Sequence, residues 1–236
     1  MGSTFVAELK GTSEVPPNGS TATGFATVVV DPSNTLIVYR VTHSLAAPTG
    51  AHLHLGIATE VGPVSIAFPS AASPITGTAT TTVAQANAIR SGRMYVNVHT
   101  SAFAGGEIRG PLLRVGERAL TATMTGAQVV PPVTTQAYGG LQYMLNVDAG
   151  VLRCAGFYAG MVLTSATLYA GDGGVNGSAL APIDPMAMSD GGFLFMDDNI
   201  VQPPLIDLML SGRTYGIVRS SAFPMGEIRG QVQPLP

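Results

Sequence analysis

The sequence predicts an all-β chain: two immunoglobulin-like or Greek-key antiparallel β-sandwich domains in tandem, each with one short helix before its penultimate strand. Three observations lead there. The text recurs at a fixed offset, short strand-like runs alternate with turn signals, and the composition favours strands and tight turns over helices.

The recurrence sets the domain count. Phe5-Val6-Ala7-Glu8-Leu9-Lys10-Gly11, followed by Glu14-Val15-Pro16-Pro17, returns as Leu120-Thr121-Ala122-Thr123-Met124-Thr125-Gly126, followed by Val129-Val130-Pro131-Pro132. Gly11 and Gly126, Pro16 and Pro131, and Gly56 and Gly171 each stand 115 positions apart. Farther on the offset is 120: Gly92-Arg93-Met94-Tyr95 matches Gly212-Arg213-Thr214-Tyr215, and Gly106-Glu107-Ile108-Arg109-Gly110 recurs as Gly226-Glu227-Ile228-Arg229-Gly230. The second copy thus carries five more residues between Gly171 and Gly212, where Asp172-Gly173-Gly174 and Asp190-Gly191-Gly192 read as loop. The copies divide at about residue 115, giving domains 1–115 and 116–236.

Within the first copy, residues 25–30 are apolar and β-branched, Asp31-Pro32-Ser33-Asn34 is a turn, and residues 36–41 return as the second arm of a hairpin. Further short strands read at 51–55, 64–68, 77–83, 94–99 and 107–113, and strands at this spacing make a β-sandwich or a related Greek-key barrel. The helical candidate is 83–91, stopped by Gly92, with a counterpart at about 203–211, stopped by Gly212.

Composition agrees and excludes several functions. Charged residues make up 11%, against roughly 25% in ordinary soluble domains, while Gly (29) and Pro (17) are abundant. A net charge of -3 with Lys10 as the sole lysine leaves no basic footprint for nucleic acid. No run reaches the roughly 18 apolar residues of a membrane span. The single cysteine, Cys154, excludes an intrachain disulfide and, set among Val151, Leu152, Ala155 and Phe157, reads as a buried structural thiol. No leader peptide is legible at Met1-Gly2-Ser3, which reads either as a native start or as residues left by expression.

The first copy resembles the CHRD domain, a family named for its repeats in chordin and widespread in secreted microbial proteins. The resemblance rests on Gly11 with Glu14-Val15-Pro16-Pro17, Ala51-His52-Leu53-His54-Leu55-Gly56, Gly62-Pro63-Val64, Tyr95-Val96-Asn97-Val98-His99-Thr100 and Gly106-Glu107-Ile108-Arg109-Gly110. The second copy resembles the family only at its Val-Pro-Pro start and its Gly-Glu-Ile-Arg-Gly end. The resemblance implies an extracellular or cell-envelope setting and an immunoglobulin-like β architecture, and it implies no settled activity.

Chemistry concentrates in the histidines. All four (His43, His52, His54, His99) lie in the first copy. On a strand, His52 and His54 share a face opposite Leu53 and Leu55; on a later strand Tyr95, Asn97 and His99 share one opposite Val96 and Val98. If the two strands are neighbours, His52, His54 and His99 make a candidate copper or zinc site, with His43 as a fourth ligand or supporting partner. The other reading is of half-exposed polar residues bonded to Asn97 or Thr100. In the second copy the four positions hold Tyr158, Thr167, Tyr169 and Arg219, so the histidines are lost as a set while the framework stays.

Glu107 and Arg109 persist in both copies, which marks them as structural, with Arg109 held by a carboxylate or by loop carbonyls. Asp197-Asp198-Asn199, with Asp190 and Asp207 nearby, lacks the ligand spacing of a calcium loop and reads as solvated. There is no nucleophile elbow and no phosphate loop. The first functional expectation is therefore a non-enzymatic binding or structural protein of a cell surface, matrix or particle assembly, self-associating or docked to a protein partner. The alternative is a copper- or zinc-binding metalloprotein for metal storage or superoxide-type redox chemistry.

Overall fold

The computed structural model describes residues 2–188 and 191–235, the side chains of 186–188 and 191 excepted. The chain divides into two compact units, 1–115 and 116–235. All strand pairs among the described residues are antiparallel.

The first unit runs β1 (Ser3–Lys10), β2 (Thr23–Val30), β3 (Leu36–His43), β4 (Pro48–Leu55), β5 (Val64–Ala67), β6 (Ile75–Thr80), α1 (Val83–Arg90), β7 (Met94–Thr100), β8 (Ile108–Pro111) and β9 (Leu113–Arg114). Period-two alternation drives it. On β1, Phe5, Ala7 and Leu9 are buried; on β2, Ala26, Val28 and Val30; on β3, Ile37, Tyr39 and Val41. The β2–β3 turn is fixed by Asp31, whose carboxylate accepts from the backbone N–H of Ser33, Thr35 and Leu36, and its carboxyl is held down at about 2 by these bonds.

These strands form one curved sheet in the order β5-β4-β7-β8-β1-β2-β3-β6, with β9 beside β1. This corrects the sandwich expectation in favour of the related barrel. Because β8 pairs with β1 (Lys10 opposite Arg109), the two halves are one hydrogen-bonded sheet wrapped round a single core, not two facing sheets. The helix adds Ala86 and Ile89 to that core. Its start is a capping box: Thr82 accepts from the Gln85 N–H, and the Gln85 side chain accepts from the Thr82 N–H.

The second unit repeats the order with β10 (Glu117–Thr125), β11 (Tyr138–Asn146), β12 (Val151–Ala159), β13 (Leu163–Ala170), β14 (Ala179–Met188), β15 (Gly191–Ile200), α2 (Pro203–Leu210), β16 (Thr214–Ser220), β17 (Ile228–Gln231) and β18 (Gln233–Pro234). Here the ring closes. Where β5 and β6 stay apart, their counterparts β14 and β15 pair, Asp184 opposite Phe195 and Pro185 opposite Leu194. Among the described residues, the stretch expected as loop is therefore largely strand, with 171–178 irregular, while Asp190 lies outside the described residues. The signal was misleading because Gly192 and the prolines at 182 and 185 read as punctuation, yet each proline lies where β14 pairs on one side only, Pro182 with β13 and Pro185 with β15. In the first unit the seam is instead bridged by the chain leaving β5, whose Phe68 ring stacks on Tyr39 at 4.2 Å.

Cys154 is buried, as its setting in the sequence indicated, and burial pushes its thiol far above the ordinary range. Leu53, fully buried on β4, tests the core assignment. Leu53→Ala should lower the stability of the first unit by about 2–5 kcal/mol in denaturant titration and leave the unfolding of the second unit unchanged.

Candidate metal centre

Strands β4 and β7 pair with Gly50 opposite His99, His52 opposite Asn97 and His54 opposite Tyr95. Ala51, Leu53, Val96 and Val98 enter the core, so alternation turns His52, His54, Tyr95, Asn97 and His99 to the outer face. That face is not left to solvent. The loops 56–63 and 101–106 and the segment after β1 fold over it: His54 is buried, and His52 and His99 are half-buried.

The three imidazoles form a triangle with centroid separations of 5.6, 5.0 and 5.7 Å. One ring nitrogen of each lies within 4.8 Å of those of the other two. Two rings are oriented by the roof: His54 Nδ1 is 2.9 Å from the Gly62 carbonyl oxygen, and His99 Nδ1 is 3.0 Å from that of Ala104. A carbonyl only accepts, so each Nδ1 carries a proton, and in the neutral ring Nε2 then keeps its lone pair. His54 Nε2, His99 Nε2 and His52 Nδ1 are all buried without a hydrogen-bond partner. A buried atom of this kind left unsatisfied costs about 1–3 kcal/mol, and together the three histidines could hold a metal ion.

Protonation agrees. Burial, then the neighbouring His99 and His54, hold His52 below the ordinary histidine range; burial also lowers His54, outweighing its bond to Gly62. Both favour the neutral imidazole, which is the ligating form.

Behind the triad stands a second layer. The Tyr95 ring stacks on His54 at 5.1 Å, and the Arg109 guanidinium sits 4.4 Å above Tyr95. Arg109 donates to the carbonyls of Ser13 (2.7 Å), Glu60 (2.8 Å) and Ala58. It is thus held by loop carbonyls, one of the two partnerships the sequence left open. Glu107 is structural in the same sense, accepting from Ser20 Oγ at 2.8 Å and from Thr100 Oγ1. Gly106, at φ +133°, has no space for a side chain, since a Cβ would come within 2.7 Å of the Asn97 amide and of Glu14 Oε1.

His43 does not join the triad. It ends β3, on the far arm of the sheet, where its Nε2 is 2.8 Å from the Ala71 carbonyl oxygen and its Nδ1 accepts from the Leu45 N–H at 3.2 Å. Both ring nitrogens are spent locally, which corrects its assignment as a ligand. Among the described residues no other His, Cys, Asp or Glu group is clustered closely enough to hold a metal; Asp197 and Asp198 lie on β15, Asp207 lies in α2, and Asp190 falls outside the described residues.

Two carboxylates were not singled out from sequence. Glu60 accepts from the Ile57 N–H and is pushed up by burial. Glu14 is buried, its Oε1 lacks a partner, and burial, partly offset by Arg109, raises its carboxyl to about 7. The signal was there: at the offset of 115, Glu14 becomes Val129 and Glu60 becomes Val175, so both vanish with the histidines.

The second unit shows what the site becomes without them. Its register is equivalent, with Ser165 opposite Arg219, Thr167 opposite Ile217 and Tyr169 opposite Tyr215. Arg219 donates to Thr167 Oγ1 at 3.4 Å and to the Tyr169 hydroxyl. A built-in cation bonds there to the residues that stand in place of His52 and His54.

Glu14 gives a prediction with a fixed sign. A carboxyl raised from 4.5 to about 7 binds its proton more tightly in the folded state, so its contribution is whole below about pH 4.5 and is lost as pH rises through 7. Glu14→Gln should match the parent protein near pH 4 and exceed it in first-unit stability at pH 8 by on the order of 1–2 kcal/mol. Paired denaturation curves across that range check it; the difference between the two proteins cancels the opposing histidine contributions.

No curated protein matches the chain. The CHRD domain matches twice, over residues 5–112 and 120–232, so that nearly all of both units is covered. The chain belongs to the CHRD domain family and carries two copies in tandem.

Proposed function

We propose that the chain is a non-enzymatic binding protein of an extracellular or envelope setting, and that its first domain holds one copper or zinc ion on His52, His54 and His99. The observation that carries the metal reading is the set of three buried, unpartnered ring nitrogens on neighbouring strands. Neutral imidazole suits both metals, and three such ligands leave a fourth position for water or a partner group. An ion there would tie β4 to β7 and, through the Gly62 and Ala104 carbonyls, fix the two covering loops. Its free energy of binding would then add to that of folding.

The binding role is supported by the family. A second copy of this chain is the partner this reading favours, because β5 and β6 each have a strand partner on one side only. No helix among the described residues is long and apolar enough to cross a membrane. Redox chemistry at a bound copper is the second reading, favoured only by that fourth position.

Protein purified without chelator should carry one equivalent of copper or zinc by elemental analysis. His52→Ala combined with His99→Ala should weaken metal binding more than about 100-fold, since loss of even a supporting group costs 10–100-fold. Stoichiometric metal retained by that variant rules the site out. Light scattering of the parent protein should show association rising with concentration; a monodisperse monomer at high concentration contradicts the seam as a self-association surface.

A further inference from the structure

Arg229 repeats Arg109 in place and in stacking, with its guanidinium 3.7 Å above the Tyr215 ring, but its surroundings differ. All its hydrogen bonds leave from Nη2, to the carbonyls of Asp172 and Val175 at 3.0 Å each and to Gln231 Oε1 at 3.3 Å. Nη1, which in Arg109 donates to Glu60, has no partner although Arg229 is only 1% exposed.

Its counter-ions are gone as well. Arg109 is compensated by Glu14 and Glu60; the same positions around Arg229 hold Val129 and Val175. No carboxylate among the described residues forms an ion pair with Arg229, and Asp172, whose carbonyl it meets, turns its carboxylate to Arg213 at 2.9 Å. A buried cation stripped of its internal anions is costly unless an anion comes from outside.

The structure supplies the place for one. A cavity of about 360 Å³ opens beside Arg229, lined by Val129, Val130 and Pro132, by Gly173 and Gly174, and by Gln128 and Gln231. A Cβ at either glycine would meet nothing within 4 Å. We propose that this cavity binds a small organic carboxylate, with its anionic end on Arg229 and its hydrocarbon against Val129, Val130 and Pro132. The apolar wall selects against inorganic anions, and the cation selects against neutral molecules of the same shape.

The inference is independent of the metal centre, and its test is separate. Titration calorimetry of the full chain should show saturable one-to-one binding of butyrate and none of butyramide or sulfate. Val129→Glu restores the carboxylate of the first domain and should weaken butyrate about tenfold or more by occupying Arg229 from within. His52→Ala should leave the binding unchanged. Should Val129→Glu not fold, the guanidinium NMR signal of Arg229 in the parent protein decides: it should shift with butyrate and not with butyramide. No saturable binding, an equal response to butyramide, or undiminished binding by folded Val129→Glu overturns the proposal.

Discussion

Arg109 places a permanent charge beneath the protein surface and donates from all three of its nitrogens to backbone carbonyls of two separate loops. Bonds from a charged donor contribute about 1.5–3 kcal/mol each, so the guanidinium is both held by the loops and holds them. The histidine site depends on this clasp. The 56–63 loop it anchors carries the Gly62 carbonyl that orients His54, and the Tyr95 ring beneath it packs against the same imidazole. Without the clasp, the outer face of β4 and β7 would be a solvated sheet surface, and its histidines would find water in place of one another.

The two domains act as a comparison made within one chain. Both keep the Gly-Glu-Ile-Arg-Gly strand, the stacked tyrosine and the buried arginine. In the first, the outer face combines three unpartnered imidazole nitrogens with buried carboxylates. In the second, the imidazoles give way to Arg219 with Thr167 and Tyr169, and the carboxylates give way to valines. One domain thus leaves room for an added cation; the other has a cation built in and leaves a second one, Arg229, short of an anion. Opposite electrostatic demands arise on one framework through changes confined to a few side chains.

Much of this was legible in the text. The offset of 115 gave the domains, and alternation along 51–55 and 94–99 put three histidines on one face, because strand geometry is local and its period is two. Which strands become neighbours is not local, and there the reading failed. His43 sits on a strand as suitable as the others, yet the order β4-β7-β8-β1-β2-β3 carries it to the opposite arm of the sheet. The choice between sandwich and barrel was open for the same reason, since a single pairing of β1 with β8 turns two sheets into one. Glu14 and Glu60 lie in loops without periodicity, and only their joint replacement by valine in the second copy marked them.

The central claim is that three desolvated imidazole nitrogens, two of them on rings oriented by loop carbonyls, make one metal centre. X-ray absorption at the metal edge of the loaded protein tests it most directly. The account predicts a first shell containing three nitrogen scatterers at about 2.0–2.1 Å with the outer-shell signature of imidazole. A shell of oxygen alone, or one with fewer than three imidazoles, would contradict it.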